Sequence, residues 1–268
     1  MNDLHGMYPH HRLNSSRLVV LLQQWARENG ERTAQSPQQD VAEPLSQWLG
    51  TVDAVKLSRA LHAIESLPQA AEAAGLQGAD LDVPALDRQV QKTRTDLTTL
   101  MTAGVAAPKP LRARADNTPV ELPDPQADAN FAAHGPRYLD LQKQMDTRLL
   151  ALRTQVRHAL AKGPMALQQL AALDGVMEQM LGAREQRLWT SLPGYLERRL
   201  AHLQHKHQQA LQTSGRADEP LRWRQPGGWL WAFEQDLQAL LLAEMQVRLQ
   251  PITGLLEAAH HEKTGPQE

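Results

Sequence analysis

The chain has 268 residues, 41% of them hydrophobic and 22% charged, with a formal net charge of -2; that suits one large or two modest globular domains and supplies no global field to attract nucleic acid or an anionic membrane. The lack of cysteine removes disulfides, thiolate metal sites and cysteine nucleophiles together. No apolar run approaches the ~20 residues that a spanning helix needs, and the first residues lack the cationic start and apolar core of a signal peptide, so the expected compartment is cytoplasmic.

Leu, Ala and Gln dominate while β-branched and aromatic residues are sparse, which favours helix over strand. The expected architecture is all-α: a long-helix bundle with a proline-rich extended connection in its middle. Its parts are a disordered N-terminus (1–12), an N-terminal helical segment (13–102), a linker (103–135), a C-terminal helical bundle (136–260) and a disordered tail (261–268). The first helix starts at Asn14 or Ser15 as cap, places Leu18, Leu21, Leu22 and Trp25 at helical spacing, and ends at Gly30, suited to the left-handed position past the last turn. The second starts at Ser36, with Pro37 in its first turn, and lines up Val41, Leu45, Trp48 and Val52. A kink near Pro44 or a break near Gly50 interrupts it, and Leu57, Leu61, Ile64 and Leu67 carry the apolar face onward. A third helix, capped by Asp80 or Asp82, shows a coiled-coil-like seam of Val83, Leu86, Val90, Thr93, Leu97 and Leu100. From Gly104 to Pro136 six prolines break any helix, and an extended connection is expected.

Beyond it, Tyr138, Met145, Leu149, Leu152, Val156 and Ala159 share one helical face, which Gly163 and Pro164 terminate. Leu170, Leu173, Met177, Leu181 and Leu188 form the next stripe. Pro193 and Gly194 are expected to interrupt it before a further helix through Leu196, Leu200, Leu203 and Leu211. The last helix runs from about Trp229 to about Ala259 with a kink at Pro251. It carries two adjacent stripes, Leu230-Phe233-Leu237-Leu240-Val247 and Leu241-Met245-Leu249-Ile252-Leu256, wide enough to bury against two neighbours.

The stretch "LRWRQPGGWLWAFEQDL" holds Trp223, Trp229 and Trp231 beside Arg222 and Arg224. Trp229 and Trp231 lie about 200° apart on a helix, so one packs inward and the other stays at the surface. Core packing with a loop anchor ranks first. A partner-binding anchor made of Trp223, Trp229, Trp231, Arg222 and Arg224 ranks second. Base stacking and a membrane foot rank last, because the surroundings are neutral.

Histidine is the richest catalytic material. In "HLQHKH", His202 and His205 lie a turn apart, while His207 points toward the leucine stripe, and no nearby carboxylate completes a metal site. Phosphate-cradling, dinucleotide, nucleophile-elbow and zinc-protease motifs are not found. Asp146 with Arg148 and Arg153, and Glu185 with Arg187, read as helix-surface pairs. Asp53 reads as a partly buried carboxylate paired with Arg17. No catalytic, cofactor-binding or metal residue is nominated.

The stretches "LNSSRLVVLLQQWA" and "QDVAEPLSQWLGTVDAVKLSRAL" resemble a family of uncharacterised proteobacterial proteins known only as a domain of unknown function. The resemblance is strongest over residues 12–61 and carries no catalytic residues. It implies an accessory role near a membrane assembly, since genes of that family often lie beside genes for predicted envelope proteins, among them ones with a peptidoglycan-binding outer-membrane-protein-A-like domain. The expected function is a non-enzymatic helical interaction or scaffold protein. It would work through a protein partner or self-association, with envelope-associated proteins as candidate partners. The first alternative is an enzyme using His158, His202 or His205 between helices. The second is a nucleic-acid-associated protein using Arg198, Arg199, Arg222 and Arg224, with nucleic acid the least favoured partner.

Overall fold

The computed structural model describes residues 16–30, 50–66, 81–103 and 125–263, and every regular element among them is helical, so the fold is all-α. The elements are α1 (Arg17–Glu28), α2 (Thr51–Glu65), α3 (Val83–Thr102), the single-turn α4 (Pro125–Asp128), a 3-10 turn (Phe131–Ala133), α5 (Gly135–Leu160), α6 (Met165–Ser214), a second 3-10 turn (Pro220–Arg222) and α7 (Trp229–Lys263).

Local signals set most of the boundaries. The α1 cap is Ser16, a position later than expected, and its Oγ accepts the Val19 N–H at 3.4 Å. Gly30 closes α1 with φ of 72°, the left-handed region in which a side chain would be strained. Asp82 Oδ1 accepts the Ala85 N–H at 3.0 Å and starts α3. At the start of α2, Asp53 Oδ2 accepts the Gly50 N–H at 3.3 Å, so the break foreseen near Gly50 is where this helix begins. The readings at Ser36, Pro44, Val41, Leu45, Trp48 and Leu67 lie outside the described residues. Val52, expected on a buried stripe, is exposed instead. The face that α2 lays against α6 carries Asp53, Leu57, Ala60 and Ile64, all half-buried, and Val52 lies off it.

The last helix is the centre of the molecule. Helix α7 packs against α1, α3, α5 and α6, which is why it buries Leu230, Phe233, Leu237, Leu240, Leu241, Met245, Ile252 and Leu255 around most of its circumference. The expectation of two neighbours was too few. One hydrophobic core holds Leu18 and Trp25 of α1, Val83, Leu97 and Met101 of α3, and the inward faces of α5, α6 and α7 together. Of the N-terminal helices, α1 and α3 therefore share the core of the C-terminal bundle. Helix α7 extends to Lys263, so residues 261–263, expected in a disordered tail, are helical.

Three further corrections come from tertiary contacts that local composition does not report. The linker expected over 103–135 is ordered at its C-terminal end. There His134 is buried, its ring meets Phe233 edge-on at 4.9 Å, and its Nε2 lies 2.8 Å from the Asp128 carbonyl. Asp128 also pairs with Arg224 at 2.7 Å. The interruption expected at Pro193 and Gly194 does not occur: α6 is continuous for 50 residues, about 75 Å at the helical rise. A proline in a helix leaves the carbonyl four residues earlier without its N–H donor. That carbonyl belongs to Trp189, and the side chain of Gln142, on α5, donates to it at 3.2 Å. In the preceding turn, Thr190 and Ser191 hydroxyls donate to the Arg187 and Leu188 carbonyls at 2.9 and 2.7 Å. The stripe expected at Leu170, Leu173, Met177, Leu181 and Leu188 is also rotated. Leu167, Ala171 and Trp189 are the buried positions, and Leu188 is exposed, because this part of α6 lies between α5 and α2 and is covered only partly by each.

Candidate functional site

A polar network crosses the apolar core where α5, α6 and α7 meet. Its centre is Glu244, which occupies a fully buried position among the leucines of α7. Tyr138 Oη donates to Glu244 Oε2 at 2.9 Å, and Gln142 Nε2 lies 3.0 Å from Oε1 while also serving the Trp189 carbonyl. One turn on, Arg248 places Nη2 at 2.6 Å from Glu244 and Nη1 at 2.5 Å from Asp146, and its guanidinium lies 4.6 Å over the Trp189 ring. A buried carboxylate is tolerable only when its oxygens are satisfied in this way. Burial pushes the Glu244 carboxyl above its ordinary range in spite of Arg248. Burial and the neighbouring carboxylate likewise push the Tyr138 phenol up. Together the pairs fix the register of α5, α6 and α7.

The Arg248 end of the network opens into a cleft of about 550 Å³ between the same three helices. Trp189 and Leu149 form its apolar lining with the exposed rim leucines Leu150 (53%) and Leu188 (46%), one on each wall. Arg153, Glu178 and Glu185 add charge. The surface pairs expected on sequence spacing are not made. Asp146 pairs with Arg248, while Arg153 reaches Asp174 at 2.6 Å and Arg157 reaches Glu178 at 2.5 Å. These are cross-helix pairs, whose partners sequence spacing cannot reveal. Asp53 pairs with Arg184 at 2.7 Å rather than with Arg17, tying α2 to α6.

The five residues singled out as a partner anchor are placed as follows. Trp223 and Trp229 are buried with ring centroids 5.3 Å apart, and the Trp229 ring stacks on His207 at 6.1 Å. Asp218 Oδ1 accepts from Trp223 Nε1 at 2.9 Å and lies 3.0 Å from His207 Nε2. Arg222 pairs with Glu219 at 2.8 Å and Arg224 with Asp128. Only Trp231, 39% exposed, presents its ring to solvent. The cluster fastens the 215–228 loop over the start of α7, and burial removes Trp223 and Trp229 from any docking surface. Gly228 permits the closure: a Cβ there would lie 2.2 Å from the Trp223 carbonyl oxygen, which itself accepts the Trp231 N–H at 2.9 Å. Gly228→Ala is expected to cost about 1–3 kcal/mol through forced backbone displacement, read as a lowered urea midpoint together with a shifted tryptophan emission.

The remaining candidates lie apart. His158 and His205 are exposed, His205 accepting from Gln209 at 2.9 Å, and His202 is half-buried with burial and Arg199 holding its pKa low. None of the three lines the cleft. Arg199 is buried, paired with Glu28 of α1 and Asp236 of α7 and packed 5.5 Å from the Trp25 ring, while Arg198 lies over Tyr195 at 4.5 Å. Among the described residues no group of three or more metal-ligating side chains converges, and no helix is long and apolar enough to cross a membrane. Sequence reasoning missed the Glu244 network. The available signal was a carboxylate inside the apolar run Leu240–Met245, with an arginine four residues on.

The fold and the cleft define a helical-bundle protein with a buried ionic tie beneath an open groove. The chain belongs to the family described as "Protein of unknown function (DUF3348)", whose family model matches residues 6–261. No curated protein and no solved structure matches it.

Proposed function

We propose that this chain is a non-enzymatic helical interaction or scaffold protein that receives a protein partner at the α5–α6–α7 cleft. The observation carrying this reading is the pair of exposed leucines, Leu150 and Leu188, on opposite walls of a groove whose floor is packed Trp189 and Leu149. Exposed apolar residues that line a groove mark binding surfaces more often than scattered ones do, and a groove between helices accepts an amphipathic helix by its i, i+3, i+4 and i+7 side chains. On the sequence resemblance, the setting is the bacterial cytoplasm, beside an envelope-associated assembly.

The test is affinity purification of the full chain with crosslinking from native lysate, alongside Leu150→Asp/Leu188→Asp. The wild type is expected to retain a specific partner that the double variant loses while keeping its helical content. A partner retained equally by both, or none retained by either, contradicts the reading.

A further inference from the structure

The cleft has a complement on the same chain. Helix α2 turns Asp53 and Leu57 toward α6, and on its outer side Val52 is 68% and Val55 47% exposed. The exposed Lys56 and Arg59 share that side, and among the described residues neither forms a salt bridge. Val52, Val55, Lys56 and Arg59 stand at i, i+3, i+4 and i+7, the spacing by which a helix fills a groove. They span two helical turns, about 10.5 Å, the same length as the cleft wall from Asp146 to Arg153 on α5.

The charges match as well. Three carboxylates, Asp146, Glu178 and Glu185, line the cleft against two arginines, Arg153 and Arg248. Both arginines are occupied, Arg248 by Glu244 and Asp146, and Arg153 by Asp174 and Glu178. Glu185 has no salt bridge among the described residues, although it acts on Arg153 from a distance. The cleft is therefore an apolar slot whose Glu185 forms no salt bridge among the described residues, and the outer side of α2 is an apolar ridge with two cations that form none there either, Lys56 acting on Asp53 only from a distance. The two cannot meet within one molecule, because the Asp53–Arg184 pair and the Gln169 bond to the Ile64 carbonyl hold α2 along α6 with its ridge outward.

We propose that the cleft receives the outer face of α2 from a second copy of the chain, Val52 and Val55 seating against Leu150 and Leu188 and the cations Lys56 and Arg59 lying toward Glu185. This rests on the interaction role proposed above and names the partner. The two surfaces differ, so the contact either closes reciprocally into a pair or continues head to tail.

Sedimentation velocity of the full chain across the micromolar range tests it. The expected result is concentration-dependent association that salt weakens. Glu185→Lys, and separately Lys56→Glu/Arg59→Glu, each weaken association by about tenfold or more, and the combined variant recovers it, since reversed partners again attract. Circular dichroism confirms that each variant is folded. A monomer at every concentration overturns the proposal, as does association indifferent to the single reversals or not recovered by their combination. A chain that is monomeric alone yet loses a different protein partner through Leu150→Asp/Leu188→Asp overturns the second-copy contact while leaving the interaction role standing.

Discussion

Glu244→Ala is expected to destabilise the chain by about 3–5 kcal/mol, the cost of removing one partner from a buried ion pair. The substitution leaves Arg248 with only the half-exposed Asp146 and strips the Tyr138 hydroxyl and Gln142 amide of their acceptor. The companion variant Glu244→Leu/Arg248→Met removes both charges and is expected to recover most of that loss, because an apolar pair of similar volume needs no desolvation. Urea denaturation checks both. A loss below about 1 kcal/mol for Glu244→Ala would rank the network with ordinary surface pairs and contradict its role as the tie between helices.

The same carboxyl sets a direction with pH. Burial raises Glu244 above its ordinary 4.5, so its contribution is fully present below that value and is lost as pH rises through the value in the fold. Glu28, Asp53 and Asp218 act in the opposite sense. Burial alone would raise Glu28 and Asp218, but Arg199 holds Glu28 low and Trp223 with His207 holds Asp218 low, while Arg184 holds Asp53 low. Their contributions are lost as pH falls. Subtracting Glu244→Gln from the wild type cancels those three, and the stability difference is expected to shift against the wild type as pH rises from about 4.5. A difference that is flat, or that moves toward the wild type, contradicts the assignment.

The second large effect concerns the proline inside α6. Gln142→Leu withdraws the donor that serves the Trp189 carbonyl and one that serves Glu244, at an expected cost of about 1–3 kcal/mol. Pro193→Ala returns a backbone N–H to position 193, where it can reach that carbonyl. In the Pro193→Ala background the cost of Gln142→Leu is therefore expected to fall by about 1 kcal/mol. A double-mutant cycle measures this, and additivity within about 0.5 kcal/mol would show that Gln142 does not compensate the proline.

These residues also mark how far the sequence can be read. Leucines at spacings of three and four place α1, α3, α5 and α7, since the period of a helix is a local property. Gly30, Asp82 and the Gly163-Pro164 pair mark boundaries for the same reason. The continuity of α6 was not legible: Pro193 announces a break, and the group that offsets it is Gln142, on another helix and 47 positions before the Trp189 carbonyl it serves. Nor were the ion-pair partners, because Asp146–Arg248 and Asp53–Arg184 are made across helices. At the tryptophan stretch, helical geometry correctly separates Trp229 from Trp231. Which of the two is buried depends on His207 and Trp223, brought in by the α6 terminus and its loop. The cleft was invisible for a related reason: Leu188 looks like one more core leucine, and Leu150 lies off the expected stripe, and nothing pairs the two until the helices are placed.

Hydrogen exchange on the full chain, bound to its partner or at concentrations where it associates, tests most directly whether the cleft is the working surface. Binding is expected to slow exchange in the segments that line it, around 146–153, 178–189 and 247–251, and to leave the 215–228 loop unchanged. Protection confined to that loop and Trp231, with the cleft segments unaffected, would contradict the cleft as the site of docking.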